Sequence, residues 1–196
     1  MEQKLFRVRS IAIPDADAEA WAAVAAILRQ GDFGPEVFLI KRAENPNDPW
    51  SGHVALPGGR REAHDGTLLD TAIRETREEV GIHLDDDAKV WGALDDMRAH
   101  SRGQPTGLIV RPFVFGLSDA IDVPTGRASV LDILDHEEVA ESFWAPIPPM
   151  LRGEASTKRD YILGGQPVEL PAFSVAGHVV WGMTYYILAS LFSRLG

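Results

Sequence analysis

Glu75, Glu78 and Glu79 stand at i, i+3 and i+4, so on a helix their carboxylates crowd one face. Like charges at that spacing repel one another and destabilise the helix. A divalent cation, which takes hard oxygen ligands, is the natural group to offset the repulsion. Arg74 lies four residues from both Asp70 and Glu78, close enough on a helix to hold acidic neighbours in place. Upstream, Pro57-Gly58-Gly59 would let the backbone turn sharply and bring a carbonyl close to a metal. A helix with several glutamates and arginines is usually a solvated face, and the Arg-Glu-Glu run alone has that reading. The tandem glycines, the apolar strand before them and the Gly81 stop after the helix are hard to explain as surface decoration.

The elements that must carry these groups can be read from periodicity. A helix runs from about Thr67 to Val80, with Leu68, Leu69, Ala72, Ile73 and Val80 free to pack on a sheet and Gly81 placed as its C-terminal cap. Glu36–Arg42 reads as a buried strand, residues 43–51 as a loop with two prolines and two asparagines, and His53–Leu56 as a short strand. Leu5–Ile13 is a first strand stopped by Pro14. Asp15 or Asp17 can cap a helix from about Ala18 to Gln30, with Trp21, Val24, Ala25 and Leu28 as its apolar stripe. Lys89–Asp95, Leu108–Leu117 and Glu141–Ala145 are further strands, and Arg98–Thr106, with Gly103 and Pro105, a flexible loop. Pro146–Leu151 begins a short helix or turn, and Gly153–Phe173 is rich in turn residues. Val179–Phe192 reads as a short strand or turn followed by a helix with Ile187, Leu188, Leu191, Phe192 and Leu195 on one face. The pattern predicts one mixed α/β domain over residues 1–196, with helices covering a sheet.

Composition narrows the partners. Nineteen basic against 29 acidic residues leave a net charge of -10, which opposes non-specific binding to nucleic acid or anionic membranes. No cysteine is present, so disulfides, zinc–thiolate sites and cysteine nucleophiles are excluded. The six histidines contain no H-x-x-x-H pair, which argues against a helical zinc site. The most apolar stretch is shorter than the roughly 20 residues a bilayer span needs. The charged N-terminus lacks a signal-peptide core, and the composition points to a cytoplasmic protein.

Gly59 through Ile82 resembles the Nudix box, G-x5-E-x7-R-E-U-x-E-E-x-G-U, with U a bulky aliphatic residue. The matching residues are Gly59, Arg74-Glu75, Glu78-Glu79, Gly81 and Ile82. Asp65 replaces the first glutamate, eight residues rather than seven separate it from Arg74, and Thr76 fills an aliphatic position. The acid and spacing departures occur together in the coenzyme A pyrophosphatase-like branch. Residues 38–42, 52–59 and 180–184 also resemble that branch. The resemblance implies a Nudix αβα sandwich, with a mixed sheet between helices, that hydrolyses a nucleoside diphosphate linked to another moiety by water attack on phosphorus. It implies Mg²⁺ or Mn²⁺, two or three ions, held by Glu75, Glu78, Glu79 and the Gly59 carbonyl. Arg74 would orient the carboxylates. The general base would be Glu75 or a late-loop acid, Glu137 or Glu138. Glu78→Gln is expected to abolish turnover and leave the fold intact.

Arg42, His53 and Arg60 are the candidates for phosphate contact, and Trp50 for stacking on a base or sugar. Asp48 stands where the coenzyme A-directed branch carries a basic residue, and an acid would not help hold the 3′-phosphate of coenzyme A. The substrate class is therefore coenzyme A-like, a nucleotide sugar, ADP-ribose or a dinucleotide. The expected partner is such a small molecule, with no nucleic acid and no membrane; many relatives are homodimers. Asp85-Asp86-Asp87 reads as a solvated turn, and Arg111, in an otherwise apolar strand, as a residue that could line the pocket. Two other classes remain: a silent Nudix domain that binds a nucleotide as a sensor or regulator, and an α/β interaction scaffold with a decorative acidic helix.

Overall fold

A computed structural model describes residues 19–101, 103–118, 121, 123, 125–127, 135 and 137–195. The strand expected at Leu5–Ile13 and the caps at Asp15 or Asp17 lie outside them. The helix expected over residues 18–30 is instead a strand, β1 (Ala20–Gly31), at the heart of the main sheet. It pairs in parallel with β7 (Gln104–Leu117) along one edge. Along its other edge it meets first β4 (Gly58–Arg60) and then β2 (Gly34–Arg42), both antiparallel. The run Ala22-Ala23-Val24-Ala25-Ala26-Ile27-Leu28 has strong helix formers, but it is covered on both faces, and a strand buried on both faces loses the alternation that would mark it.

The main sheet runs β5-β7-β1-β2-β9-β8, with β3 beside β2, β4 beside β1 and β6 beside β7. Here β3 is Val54–Ala55, β5 Ala88–Ala93, β6 Met97–Ser101, β8 Gly126–Arg127 and β9 Val139–Pro146. Residues 98–106 are thus not a flexible loop. Met97 and Ala99 point inward between exposed Arg98 and His100, and β6 turns back into β7 through Gly103 at φ 80. One face of the sheet carries helix α1 (Leu68–Val80), which packs Ala72 and Val80 on Ala23, Ala25, Phe38 and Ile40. Short helices α2 (Leu84–Asp87) and α3 (Ile147–Leu151) follow α1 and β9. The other face carries α4 (Gly182–Leu195), with Ile187, Leu188, Leu191 and Phe192 buried against Ala26, Leu28, Val37 and Leu39. Helices on both faces of a mixed sheet make an αβα sandwich.

The turn-rich segment before α4 is more ordered than its composition implies. It forms a second, three-stranded antiparallel sheet of β10 (Ser156–Leu163), β11 (Gln166–Val175) and β12 (His178–Trp181). Gly164-Gly165, both at positive φ, make the β10–β11 turn. The alternation that would reveal these strands is weak because β10 is exposed along most of its length and β11 over its first half is not buried.

Candidate active site

Helix α1 starts and stops where its sequence says. Thr67 is the N-cap: its side chain accepts the Asp70 N–H at 3.2 Å, and Asp70 accepts the Thr67 N–H at 2.8 Å, a reciprocal capping box. Gly81 closes the helix in the left-handed conformation at φ 69. Asp70 is occupied by this cap and does not bond Arg74. Thr76, in its aliphatic slot, is fully buried and donates its hydroxyl to the Ala72 carbonyl at 2.7 Å, so it costs no unpaired polar group.

The partner of Arg74 is Asp65. Arg74 Nε and Nη2 donate to its two carboxylate oxygens, each at 2.9 Å, a bidentate pair. Thr71 Oγ1 at 3.0 Å and the Glu62 N–H at 2.9 Å complete the shell around Asp65. Those Arg74 bonds, above all, hold the Asp65 carboxyl well below the ordinary carboxylate range, although its burial works the other way. Arg74 Nη1 is left to reach Glu75 at 3.0 Å and Glu78 at 2.8 Å, and Nη2 also donates to the Arg60 carbonyl at 3.0 Å. One guanidinium thus ties the loop before the helix to two of its three glutamates.

The three glutamates sit in different surroundings. Glu78 is exposed. Glu75 is largely buried, and burial pushes its carboxyl up, with Arg74 opposing and Glu78 and Glu138 adding to the push. Glu79 is only 2% exposed, and burial drives its carboxyl up to about 8 against the pull of the Gly58 N–H and Arg42. That N–H donates to Glu79 Oε2 at 2.8 Å, and Arg42 Nη1 lies 3.9 Å from Oε1. The glycines make the approach between helix and strand feasible. A Cβ on Gly58, at φ 142, would collide with the Ala23 carbonyl of β1, and one on Gly59 would lie 2.5 Å from the Glu75 carboxylate.

Of the other candidates, Arg42 bonds Asp48 through Nε at 2.9 Å and Nη2 at 2.8 Å, so Asp48 serves as its partner and not as a free acid. His53 is half-buried, its ring 4.6 Å from that of Trp181. Trp50 packs against Ala22, Ala99, Leu108 and Val110 and donates Nε1–H to the His100 carbonyl at 3.3 Å, anchoring the 43–53 loop to the β6–β7 hairpin. The Arg60 side chain is exposed. Arg111 pairs with the Asp96 carboxylate at 2.7 and 2.8 Å. The segment leading into β9 docks on the end of α1, where the Asp135 N–H donates to the Glu79 carbonyl at 3.0 Å. It also reaches the loop after β2, where the Ala43 N–H donates to the Glu138 carbonyl at 2.8 Å. Glu138 therefore stands near Glu75 and Glu79, and its charge acts on both.

The sequence model of the NUDIX domain family matches residues 20–162. The chain belongs to the Nudix family. Residues 59–82, which carry the resemblance to the Nudix box, and helix α1 lie within that match. An uncharacterised protein of Schizosaccharomyces pombe is 40% identical over 126 residues, covering 63% of this chain and 36% of that protein. A human protein named as a mitochondrial coenzyme A diphosphatase is 29% identical over 154 residues, covering 78% of this chain and 60% of that protein. The chain thus matches less than two thirds of the length of either relative. A solved Enterococcus faecalis MutT/nudix family protein shares the fold at TM-score 0.54 and 15% identity, covering 99% of this chain and 73% of that one.

Two contributors to the site were not assigned a role from the Nudix spacing. Asp65 was visible as the first acid of the box, but its pairing with Arg74 spans a loop and a helix turn. Asp48 looked like an unfavourable acid until Arg42 supplied its partner.

Proposed function

We propose that this chain is a metal-dependent pyrophosphohydrolase acting on a nucleoside diphosphate linked to another moiety. The observation that carries the reading is Glu79, a carboxylate buried beside Glu75 with a single backbone donor and an arginine at 3.9 Å. Two neighbouring acids pushed upward by burial, with Glu138 pressing on both, form an arrangement that a divalent cation would relieve.

The donors fit Mg²⁺ or Mn²⁺. The carboxylates of Glu75, Glu78 and Glu79 and the Gly59 carbonyl are hard oxygens, and the room kept open at Gly59 lies directly against Glu75. When bound, such ions neutralise the diphosphate and lower the pKa of an attacking water. The chain's own residues do the positioning. Asp65 fixes Arg74, and Arg74 fixes Glu75 and Glu78. Gly58 orients Glu79. Glu138, whose charge acts on both carboxylates, and Glu75 are the candidates to accept the water proton, with Glu137, on the same segment, a further one. Arg42, which lies beside Glu79, and His53, whose carbonyl accepts the Arg42 N–H, are the candidates to contact the diphosphate.

A coenzyme A-like substrate is supported by the name of the human relative, and the Arg42–Asp48 pair removes the objection that Asp48 would repel it. The cytoplasm is our proposal for its compartment, on composition. Among the described residues no helix is long and apolar enough to cross a membrane, and the human relative's name places that protein in mitochondria.

The test is a product assay with Mg²⁺ or Mn²⁺ over coenzyme A, ADP-ribose, NADH, nucleotide sugars and diadenosine polyphosphates, with Glu78→Gln as control. Cleavage at the diphosphate by wild type and not by the variant is the expected result. No cleavage of any member, with the variant indistinguishable from wild type, would replace this reading by that of a silent nucleotide-binding domain.

A further inference from the structure

Two arginines border the acidic site, and each is gripped by an acid from a loop. Arg74, held by Asp65, has a spare nitrogen that bonds Glu75 at 3.0 Å and Glu78 at 2.8 Å. Arg42, held by Asp48, has a spare nitrogen too, but its Nη1 stops 3.9 Å from Glu79 Oε1. That is about an ångström too long for a hydrogen bond between a guanidinium and a carboxylate. Glu79 is therefore left with one hydrogen bond among the described residues, from the Gly58 N–H to Oε2. A carboxylate this deeply buried gains most from a close cationic partner, so the gap to Arg42 needs a cause.

Asp48 supplies it. Its Oδ2 accepts Arg42 Nε at 2.9 Å and lies 2.8 Å from Nη2, and its Oδ1 accepts the Trp50 N–H at 2.9 Å. The Asp48 carbonyl accepts the Ser51 N–H at 3.1 Å, and its own N–H donates to the Asn45 carbonyl at 3.0 Å. Trp50 in turn is seated on Ala22, Ala99, Leu108 and Val110. Asp48 is thus fixed from the loop side, and the guanidinium it holds swings onto α1 only by giving up charge-assisted bonds. The charges of the pair are felt on both sides. At His53, where burial lowers the proton affinity most, Asp48 acts upward and Arg159 and Arg42 downward. At Glu79, against the larger effect of burial, Arg42 acts downward.

A divalent cation on Glu75 and Glu79 would meet Arg42 in two ways. Nη1 closed onto Glu79 would occupy a carboxylate oxygen that the ion needs, and a guanidinium without its counter-charge would repel the ion. We propose that Asp48 is a positioning residue of the cation site, holding Arg42 off Glu79 and offsetting its charge. The inference rests on the reading of Glu75, Glu78 and Glu79 as cation ligands; the Asp48–Arg42 geometry does not.

The test is a calorimetric titration of the substrate-free protein with Mg²⁺, with the rise in melting temperature as a second readout. It is run at about pH 9, above the value of about 8 to which burial raises Glu79, so that the ion does not compete with a proton there. Asp48→Asn keeps an acceptor for the Trp50 N–H and removes the charge that holds Arg42. It should weaken Mg²⁺ binding by about tenfold or more, the scale on which partners of metal ligands act. Adding Arg42→Gln to it should restore most of the loss, because no guanidinium is left to close on Glu79. Arg42→Gln alone, with the bond from Trp50 to Asp48 left in place, should bind Mg²⁺ at least as tightly as wild type. Should Asp48→Asn fail to fold, that variant alone decides. An Asp48 that only shapes the loop would leave the double variant as weak as Asp48→Asn. That result, an unchanged affinity in Asp48→Asn, or weaker binding in Arg42→Gln alone overturns the proposal and leaves the cation site standing. A wild type that binds no Mg²⁺ overturns the cation reading and this inference with it.

Discussion

Asp65 shows how a residue outside the helix can govern the acids on it. It is buried, takes both forks of Arg74 and two further donors, and leaves only Nη1 of that guanidinium for Glu75 and Glu78. Asp65→Asn keeps the shape and removes the charge. We expect it to lower the apparent affinity for Mg²⁺ about 10–100-fold, as measured by activity against metal concentration, because a partner that orients metal ligands has been weakened. The same variant should cost on the order of 2 kcal/mol in urea unfolding near neutral pH. The sign with pH follows from the depressed carboxyl: its stabilisation is fully present above the unfolded value of about 4 and is lost as pH falls through the folded one. The stability gap between wild type and Asp65→Asn should therefore be constant from pH 5 to 8 and shrink below about pH 4. A gap that widens in acid would contradict the assignment.

Adjacent glycines divide structural work from site work at the scale of elements. Gly58 belongs to the contact between β4 and β1, where an added Cβ would meet the Ala23 carbonyl, and its φ of 142 disfavours any other residue. Gly59 borders the Glu75 carboxylate, a side chain that can move. Gly58→Ala should lower the melting temperature by several degrees at least, in line with about 1–3 kcal/mol of backbone strain. Gly59→Ala should melt nearly like wild type yet lose most of its response to Mg²⁺. Equal melting of the two variants would show that the backbone approach is not what requires the pair. The tandem glycine was legible in the sequence. The division of labour was not, because it depends on which strand lies behind each residue.

The αβα sandwich places one face of α1 on the sheet and leaves Glu79 under that contact. A buried carboxylate with one backbone donor should destabilise the metal-free protein, and a bound cation should reverse this. We expect Mg²⁺ to raise the melting temperature of wild type, by an amount equivalent to about 2.7 kcal/mol at a concentration a hundred times the dissociation constant. Glu79→Gln, which removes the ionisable buried acid and can still accept the Gly58 N–H, should melt higher than metal-free wild type, most clearly above about pH 8 where Glu79 is charged, and show no Mg²⁺ shift. A variant less stable than metal-free wild type, or one that keeps the shift, would remove Glu79 from the proposed cation site. Glu78→Gln should behave differently: being exposed, it should leave melting unchanged while activity falls at least about 100-fold.

What the sequence determined by itself is what local spacing can carry. Thr67, Asp70 and Gly81 bound the helix, positions 75, 78 and 79 gather the acids along it, and Gly58-Gly59 announce a close backbone approach. Each depends on neighbours a few residues away. The tertiary structure alone decided the rest, through contacts between distant parts of the chain. The alanine-rich run at 20–31 has helical propensity, yet pairing on both edges and burial on both faces make it the central strand. Arg42 could be matched with Asp48 only once the 43–53 loop had folded back on β2. Arg159 and Tyr161 meet Trp181 and His53 only because two hairpin turns return the chain to the edge of the site. Propensity acts along the chain, whereas burial and pairing act across it, and at these positions the contacts across the chain prevail.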